Sequence, residues 1–375
     1  MVRSATQTAS QWAKMVVCFS ISTESERTMS NHIENGQVRV LGIDLGKSVF
    51  QLHGVDARGK SVLKQRLKRD KLLEFMAQLP PCLVGMEASS GAHHWARKFQ
   101  GYGHETRLMA PQYVKPYVKR HKNDSVDAEA ICEAVQRPNM RFVGIKSVAQ
   151  QEILALHRIR SLAVKNRTAL VNQIRGLLAE YGIVFPKSIK QARRAIVLIL
   201  SDESLELSPL FLRLLEEECE ELTRLDERIA MYDNEIEALA KADPQCRLLM
   251  TIPGVGPITA TALLASVGDV RAFKNGRELS AWIGLVPNQH STGGKAWLTG
   301  ISKRGNGYLR TLLIHGARAV LRVAEKKPDR RSRWVVSVSE RRGANKAVVA
   351  LANRMARSAW AMLVKQEAYQ VRATV

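Results

Sequence analysis

No run of 18 apolar residues occurs in this 375-residue chain, so no segment of it reads as a bilayer-spanning helix. Cysteine is sparse: Cys18, Cys82, Cys132, Cys219 and Cys246 are widely spaced and odd in number. None belongs to a Cys-x-x-Cys pair, which argues against structural zinc and a disulfide framework and suits a reducing, cytoplasmic setting. The apolar patch at residues 15–21 lacks a cleavage site and reads as part of a cytosolic extension rather than a secretion signal. Acidic residues are few beside the basic ones, 35 Asp+Glu against 57 Lys+Arg, a formal net charge of +22. Such an excess implies a polyanionic partner, most often nucleic acid. An anionic membrane surface is the rival reading, and the chain has no segment to anchor it there.

What is present is ordinary for a globular protein. Hydrophobic residues make up 45% and charged residues 25%, enough for two or three domains with sizeable cores. Residues 1–36 are Ser/Thr-rich without periodicity and read as a flexible leader, with Met29 as an alternative start. From residue 38 the pattern predicts strands over 38–45, 49–55 and 61–67, then a helix over 71–78 that stops at Pro80-Pro81. A buried strand over 82–87, a helix over 92–100, a strand over 105–109 and a helix from Asp124 follow. A meander followed by alternating helix and strand predicts an α/β domain over residues 37–150.

Residues 151–245 read as a helical arm. Leu222, Leu225, Ile229, Tyr232, Ile236 and Leu239 recur at alternating spacings of three and four, continued backwards by Leu215 and Phe211. Residues 205–241 hold 11 acidic and 4 basic residues, which makes this helix a poor DNA contact. The seam serves either as a coiled-coil oligomerisation arm or as an internal hairpin packed on residues 153–181. Residues 246–375 form a third, mainly α-helical and basic domain; 17 basic and 4 acidic residues fall in 301–375 alone.

Four acids stand out: Asp44 in Val-Leu-Gly-Ile-Asp-Leu-Gly-Lys, Glu87 in Leu-Val-Gly-Met-Glu-Ala-Ser-Ser, and Asp124 with Asp127 in Lys-Asn-Asp-Ser-Val-Asp-Ala-Glu. Each alone reads as a surface charge or, for Asp124, a helix cap. Asp44 resists that reading, since an acid within an apolar strand is costly without a partner. Strand ends and the first turn of a helix are where an α/β fold gathers functional groups. Four gathered carboxylates repel unless a cation sits among them, and their oxygens suit Mg²⁺ or Mn²⁺.

In the basic region, Ser291 precedes Thr292-Gly293-Gly294-Lys295. By default this is a polar turn. As a functional element it is a nucleophile on a Gly-rich loop, with Lys295, Lys303, Arg304 and Arg310 near enough in sequence to address phosphates. Thr251-Ile-Pro-Gly-Val-Gly-Pro-Ile-Thr-Ala260 reads as the turn of a helix-hairpin-helix, where the N–H groups of Gly254 and Gly256 approach a phosphate. His93-His94 follow the Glu87 strand and read as helical packing, with approach to the metal site as the alternative. The tryptophans of the basic region read mainly as core.

Six motifs in this order resemble the insertion-sequence transposases that join a RuvC-like (ribonuclease H-like) DEDD nuclease domain to a C-terminal serine-bearing domain, the bridge-RNA-guided recombinases. They are Gly-Ile-Asp44-Leu-Gly-Lys, Met-Glu87-Ala-Ser-Ser-Gly, Lys-Asn-Asp124-Ser-Val-Asp127-Ala-Glu-Ala-Ile, Ile-Pro-Gly-Val-Gly-Pro-Ile-Thr-Ala, Pro-Asn-Gln-His-Ser291-Thr-Gly-Gly-Lys and Gly-Ile-Ser-Lys-Arg-Gly-Asn-Gly-Tyr-Leu-Arg. The resemblance implies that Asp44, Glu87, Asp124 and Asp127 bind Mg²⁺, and that Ser291 attacks a DNA phosphate to form a covalent phosphoserine link. It further implies a homo-oligomer, dimer or tetramer, in which the nuclease domain of one subunit meets the serine domain of another. The implied partners are double-stranded DNA, as element ends and target, and a structured non-coding bridge RNA that supplies sequence choice by base pairing. Thr292 stands where a second Ser is frequent, so the nucleophile rests on Ser291 alone. Two other readings stay open: a metal-dependent nuclease or junction resolvase with water as nucleophile, and a non-catalytic nucleic-acid-binding scaffold.

Overall fold

The computed structural model describes residues 37–118, 124–186, 188–202 and 204–370, with the side chains of residues 124 and 125 outside that description. The expected leader over 1–36 therefore lies outside the described residues.

Alternating apolar and polar residues build an antiparallel meander of β1 (Val40–Leu45), β2 (Val49–Val55) and β3 (Ser61–Lys68), with Asp44 opposite Gln51 and Gly42 opposite His53. The β2–β3 turn is fixed by Asp56, whose carboxylate accepts the N–H groups of Arg58 and Lys60 at 2.8 and 2.9 Å. Next comes α1 (Leu72–Gln78), which ends before Pro80-Pro81, because proline cannot donate the next helical bond. It returns the chain to β4 (Leu83–Glu87), parallel to β1 with Ile43 beside Met86. A second crossover, α2 (Ala92–Gly101), places β5 (Glu105–Met109) parallel to β4. After α3 (Pro111–Val114) and α4 (Asp124–Val135), the short β6 (Phe142–Val143) pairs antiparallel with β5. The resulting order, β3-β2-β1-β4-β5-β6, gives the α/β sheet that the sequence predicts, with β6 the one strand it did not signal.

The period of two along each strand divides the sheet into two faces. Leu41, Ile43, Phe50, Leu52, Val84 and Met86 face α1 and α2, packing on Phe75, Trp95 and Phe99. Val40, Gly42, Leu83 and Gly85 lie under α4, whose Ile131, Ala134 and Val135 form a smaller core there. The approach is very close. A Cβ built on Gly42 would stand 2.3 Å from the Ala128 carbonyl oxygen, and one built on Gly85 would stand 2.8 Å from Val135 Cβ.

The arm consists of α5 (Val148–Ala179), α6 (Ile189–Leu200) and α7 (Pro209–Ala242). Ser147 opens α5 with a capping box, its hydroxyl accepting from Gln150 N–H at 3.1 Å while Gln150 returns a bond to Ser147 N–H at 3.0 Å. The apolar seam of α7 is filled from within the chain: Phe211, Leu215, Leu222 and Leu225 pack on Leu170, Val171, Ile174 and Leu178 of α5 and Ile196 of α6. Arg167 bridges to Asp226 at 3.0 Å across the pair. Of the two uses open to the seam, the internal one is what the structure displays.

The remaining elements are α8 (Pro244–Met250), α9 (Pro257–Val267), α10 (Gly276–Ile283), the hairpin β7 (Pro287–Thr292) and β8 (Lys295–Ile301), α11 (Gly307–Arg322), α12 (Arg330–Arg342) and α13 (Ala344–Lys365). The helices share one core centred on α9 and α13, from which the hairpin projects. Asp243, Asn275, Asn306 and Asp329 cap α8, α10, α11 and α12 with their side-chain oxygens. The arm is riveted to this body by His157 of α5, buried between Thr261 of α9 and Tyr308 of α11, each at 3.0 Å. Thr261 donates its hydroxyl to the Pro257 carbonyl at 2.8 Å. It therefore accepts from His157 Nε2–H, which leaves Nδ1 to accept from the tyrosine hydroxyl. Among the described residues no helix is long and apolar enough to cross a membrane.

Two consequences are measurable. Gly42→Ala forces α4 off the sheet, and chemical denaturation is expected to show a loss of roughly 2–3 kcal/mol. Burial, then the nearby Arg160, lowers the His157 pKa to about 4, against 6.5 ordinarily. The unfolded chain thus takes up the proton first as pH falls, so stability is present above pH 6.5 and is lost between about 6.5 and about 4. His157→Gln is expected to flatten that part of the stability profile, read by denaturation at a series of pH values.

Candidate active site

Asp44 and Glu87 occupy adjacent parallel strands, each one residue beyond the Ile43–Met86 pair. Neighbouring strands lie about 4.8 Å apart. Each acid follows a glycine by two residues, so both share the face on which α4 lies. The helix runs opposite to β1: the Cys132 thiol reaches the Val40 carbonyl at 3.6 Å, while Ala128 stands over Gly42. Asp124 and Asp127 belong to the first turn of α4, ahead of Ala128 in the chain. The structure thus places Asp44 and Glu87 side by side on the sheet face that α4 covers. Asp44, Glu87 and Asp127 are half-buried, and the Asp124 side chain lies outside the description.

Among the described residues no group of three or more His, Cys, Asp or Glu is drawn tightly enough to hold a metal ion. The donor chemistry still fits a hard cation: carboxylate oxygens on two strand ends and a helix start, with no thiol or imidazole forced upon them. Cys132, the nearest thiol on α4, is buried, and its pKa is pushed up to about 12 by that burial, so it stays protonated and apolar.

Ser291 departs from expectation in its setting. It sits on strand β7 rather than in a loop, opposite Ala296, and the turn is confined to Gly293 and Gly294 at φ +56° and +75°. Two successive positive φ values make the tight turn that suits strand twist. The serine is exposed, and its oxygen accepts from Gln289 Nε2 at 2.6 Å within the same strand. Residues paired across an antiparallel ladder share a face. Ser291 is therefore on the side of Gln289 and its partner Leu298, and Leu298 and Thr299 line a groove of about 1510 Å³ between the hairpin, α10, α12 and α13 whose wall does not include Ser291. Arg277, Lys346, Arg354 and Arg357 line this groove, together with Trp334 and Trp360, and no acidic side chain does. Arg354 lies over the Trp334 ring at 5.0 Å, and Trp360 donates to the Phe273 carbonyl at 3.0 Å.

The other predicted contacts divide. Lys295, Lys303 and Arg304 are exposed near the hairpin, Lys303 with a left-handed backbone at φ +54°. Arg310 is half-buried and structural: its Nη1 donates to the Ile283 carbonyl at 2.9 Å, tying α11 to the end of α10. Gly256 lies in open space at the start of α9, whereas Gly254, at φ +92°, is pressed against Gly316 of α11. A Cβ at Gly254 would come within 2.8 Å of the Gly316 carbonyl oxygen, so helix packing is what this glycine serves. The four groove cations were not singled out from sequence. Their signal was there: positions 346, 354 and 357 flank the buried stripe of α13 at helical spacing.

Nothing in the described hydrogen bonds joins Ser291 to the acids; Asp44 and Glu87 lie on the sheet, Asp124 and Asp127 on α4, and the hydroxyl on the hairpin. Both regions of the chain have counterparts in known proteins. A family model described as a transposase of the IS116/IS110/IS902 family matches residues 246–334, and a DEDD transposase model named for IS110 matches residues 41–183. A Pseudomonas aeruginosa protein described as a probable family 20 transposase is 49% identical over 331 residues, 88% of this chain and 98% of that protein. The Coxiella burnetii transposase for insertion sequence element IS1111A is 50% identical over 333 residues, 89% of this chain and 92% of its own. The Yersinia enterocolitica transposase for element IS1328 is 42% identical over 323 residues, 86% and 96% respectively. The chain belongs to the IS110/IS116 family of insertion-sequence transposases.

Proposed function

We propose that this transposase breaks and rejoins DNA with two separate chemical centres, an acidic one on the sheet and a hydroxyl on the hairpin. The observation that carries the reading is that Asp44 and Glu87 lie on adjacent parallel strands, on the sheet face covered by α4, the helix that carries Asp124 and Asp127. Asp44, Glu87, Asp124 and Asp127 would hold Mg²⁺ or Mn²⁺, which when bound supplies charge neutralisation at a reacting phosphodiester. Ser291 presents its Oγ to the phosphorus from the groove side of the hairpin, and a new P–O bond forms as the 3′-oxygen departs. The DNA 5′-phosphate is then carried on serine until a second DNA hydroxyl displaces it. Gln289, bonded to the serine oxygen, keeps the Oγ orientation fixed. Arg277, Lys346, Arg354 and Arg357 address backbone phosphates along the groove rather than base edges.

Because the hydroxyl and the acids sit on different bodies of the chain, two subunits pair so that one chain's sheet meets the partner's hairpin. A structured non-coding RNA supplying sequence choice by base pairing follows from the family resemblance, and suits a basic surface that addresses backbones. A helix-hairpin-helix role for the α8–α9 turn narrows to Gly256, the glycine left open.

The test uses the full chain with its RNA, Mg²⁺ and element-end DNA. Wild type is expected to leave a protein–DNA adduct that resists denaturant. Ser291→Ala abolishes the adduct, and Asp44→Asn lowers strand cleavage at least about 100-fold while folding is retained. Cleavage that survives Ser291→Ala gives the reaction to water and makes the chain a nuclease or resolvase. Undiminished DNA chemistry in Asp44→Asn sinks the two-centre mechanism.

A further inference from the structure

Where β6 passes into α5, Lys146 folds back over the first turns of α2. Its backbone N–H donates to His93 Nδ1 at 3.2 Å, and its Nζ stands 3.3 Å from His93 Nε2. Arg97, one turn further along α2, donates to the Lys146 carbonyl. Arg158 of α5 acts electrostatically on both His93 and Lys146. Since Nδ1 accepts a hydrogen bond, the neutral imidazole carries its proton on Nε2. The Nε2–H and the Lys146 ammonium therefore converge as two donors, and an acceptor beside them satisfies both.

The electrostatics point the same way. Burial first, then Lys146, Arg97 and Arg158, lower the His93 pKa to about 4, while burial and Arg158 lower that of Lys146. No carboxylate figures among the groups acting on either residue, and among the described residues none forms an ion pair with Arg97, Lys146 or Arg158. Three cations clustered without an acid repel one another, and an anion between them reverses the sign of that interaction. A groove of about 510 Å³ opens beside them, lined by Arg97, Thr106, Arg107, Lys146 and Ser147, the last being the cap of the 32-residue α5. Arg107 is already paired with Glu105 at 2.6 Å, which leaves Arg97 and Lys146 as the cations of the groove wall with no carboxylate partner among the described residues.

We propose that this seam is an oxyanion site for a backbone phosphate of nucleic acid, held by Arg97, Lys146 and Arg158 with His93 Nε2–H as a neutral donor. The site lies on the sheet face opposite α4, at the junction with the arm, so it anchors a strand away from the acids. The choice of nucleic acid over free phosphate rests on the transposase reading; the oxyanion site does not.

Full-length Lys146→Gln and Arg158→Gln are compared with wild type for binding a random-sequence DNA duplex between about 50 and about 200 mM salt. Each is expected to weaken binding roughly fivefold and to reduce the slope of log affinity against log salt by about 1. Separately, inorganic phosphate is titrated while the His93 imidazole is followed by NMR, its signal assigned by loss in His93→Gln. Bound phosphate favours the imidazolium, so His93 is expected to titrate at higher pH. If phosphate moves His93 but both slopes stay at the wild-type value, the ligand is a free phosphate and the backbone contact is overturned. If neither changes, there is no oxyanion site. Arg158 is exposed, so its variant carries the binding test should Lys146→Gln fail to fold. The phosphate titration involves no DNA chemistry, which separates failure here from failure of the catalytic mechanism.

Discussion

The seating of α4 on two glycines is the constraint on which the sheet domain depends. Gly42 and Gly85 remove the side chains that would stand between the helix and β1 and β4, and the Ala128 carbonyl occupies the place of a Cβ. Asp44 and Glu87, two positions beyond those glycines, lie on the face that α4 covers, and Asp127 belongs to the first turn of that helix. Any larger residue at either glycine would lift the helix from the strands that carry Asp44 and Glu87. Carboxylates repel one another, so a cation site built from them depends on the fold that carries them.

Charge is segregated along the molecule to match. Asp44 and Glu87 sit on a sheet otherwise rich in basic side chains, the exposed surface of α7 is acidic, and the groove under the hairpin is basic, with no acid in its wall among the described residues. A polyanion is thus drawn to the sheet domain and the C-terminal body and discouraged along the arm. The arm in turn is rigid where it matters: its seam is buried within the chain and His157 fixes it to α9 and α11 through a fully bonded imidazole.

Much of this was legible in the residues. The meander, the crossovers and the helix at Asp124 follow from period-two and period-3.6 patterns cut by Pro80-Pro81, Gly101 and Gly103, and the acids announce themselves because charge inside an apolar strand is costly. Short-range rules failed where the deciding contact is distant in sequence. Nothing local distinguishes Gly254, wedged against Gly316, from Gly256, left open. Nor does a heptad seam reveal whether its partner is another chain or α5. Ser291 was expected in a loop because Gly293-Gly294 look flexible, yet two positive φ values in succession close a hairpin and turn the flanking residues into strand. β6, only two residues long, has no period to detect.

A two-stranded hairpin is marginal by itself, so the position of Ser291 depends on how β7 and β8 are rooted. Ser302 N–H donates to the Val286 carbonyl at 2.8 Å at the base of the hairpin, and Arg310 holds the ends of the flanking segments through the carbonyls of Ile283 and, at 3.4 Å, Arg304. The root is half-buried at Val286, Ile301 and Ser302, while the tip is exposed. Arg310 is thus better understood as a positioning residue than as a phosphate contact. Its charge neutralises two carbonyl dipoles, and its length sets where the groove-side face of β7 points. A rigid base with a free tip lets the hydroxyl meet a phosphate on a second molecule, whereas a buried serine would have to be exposed first.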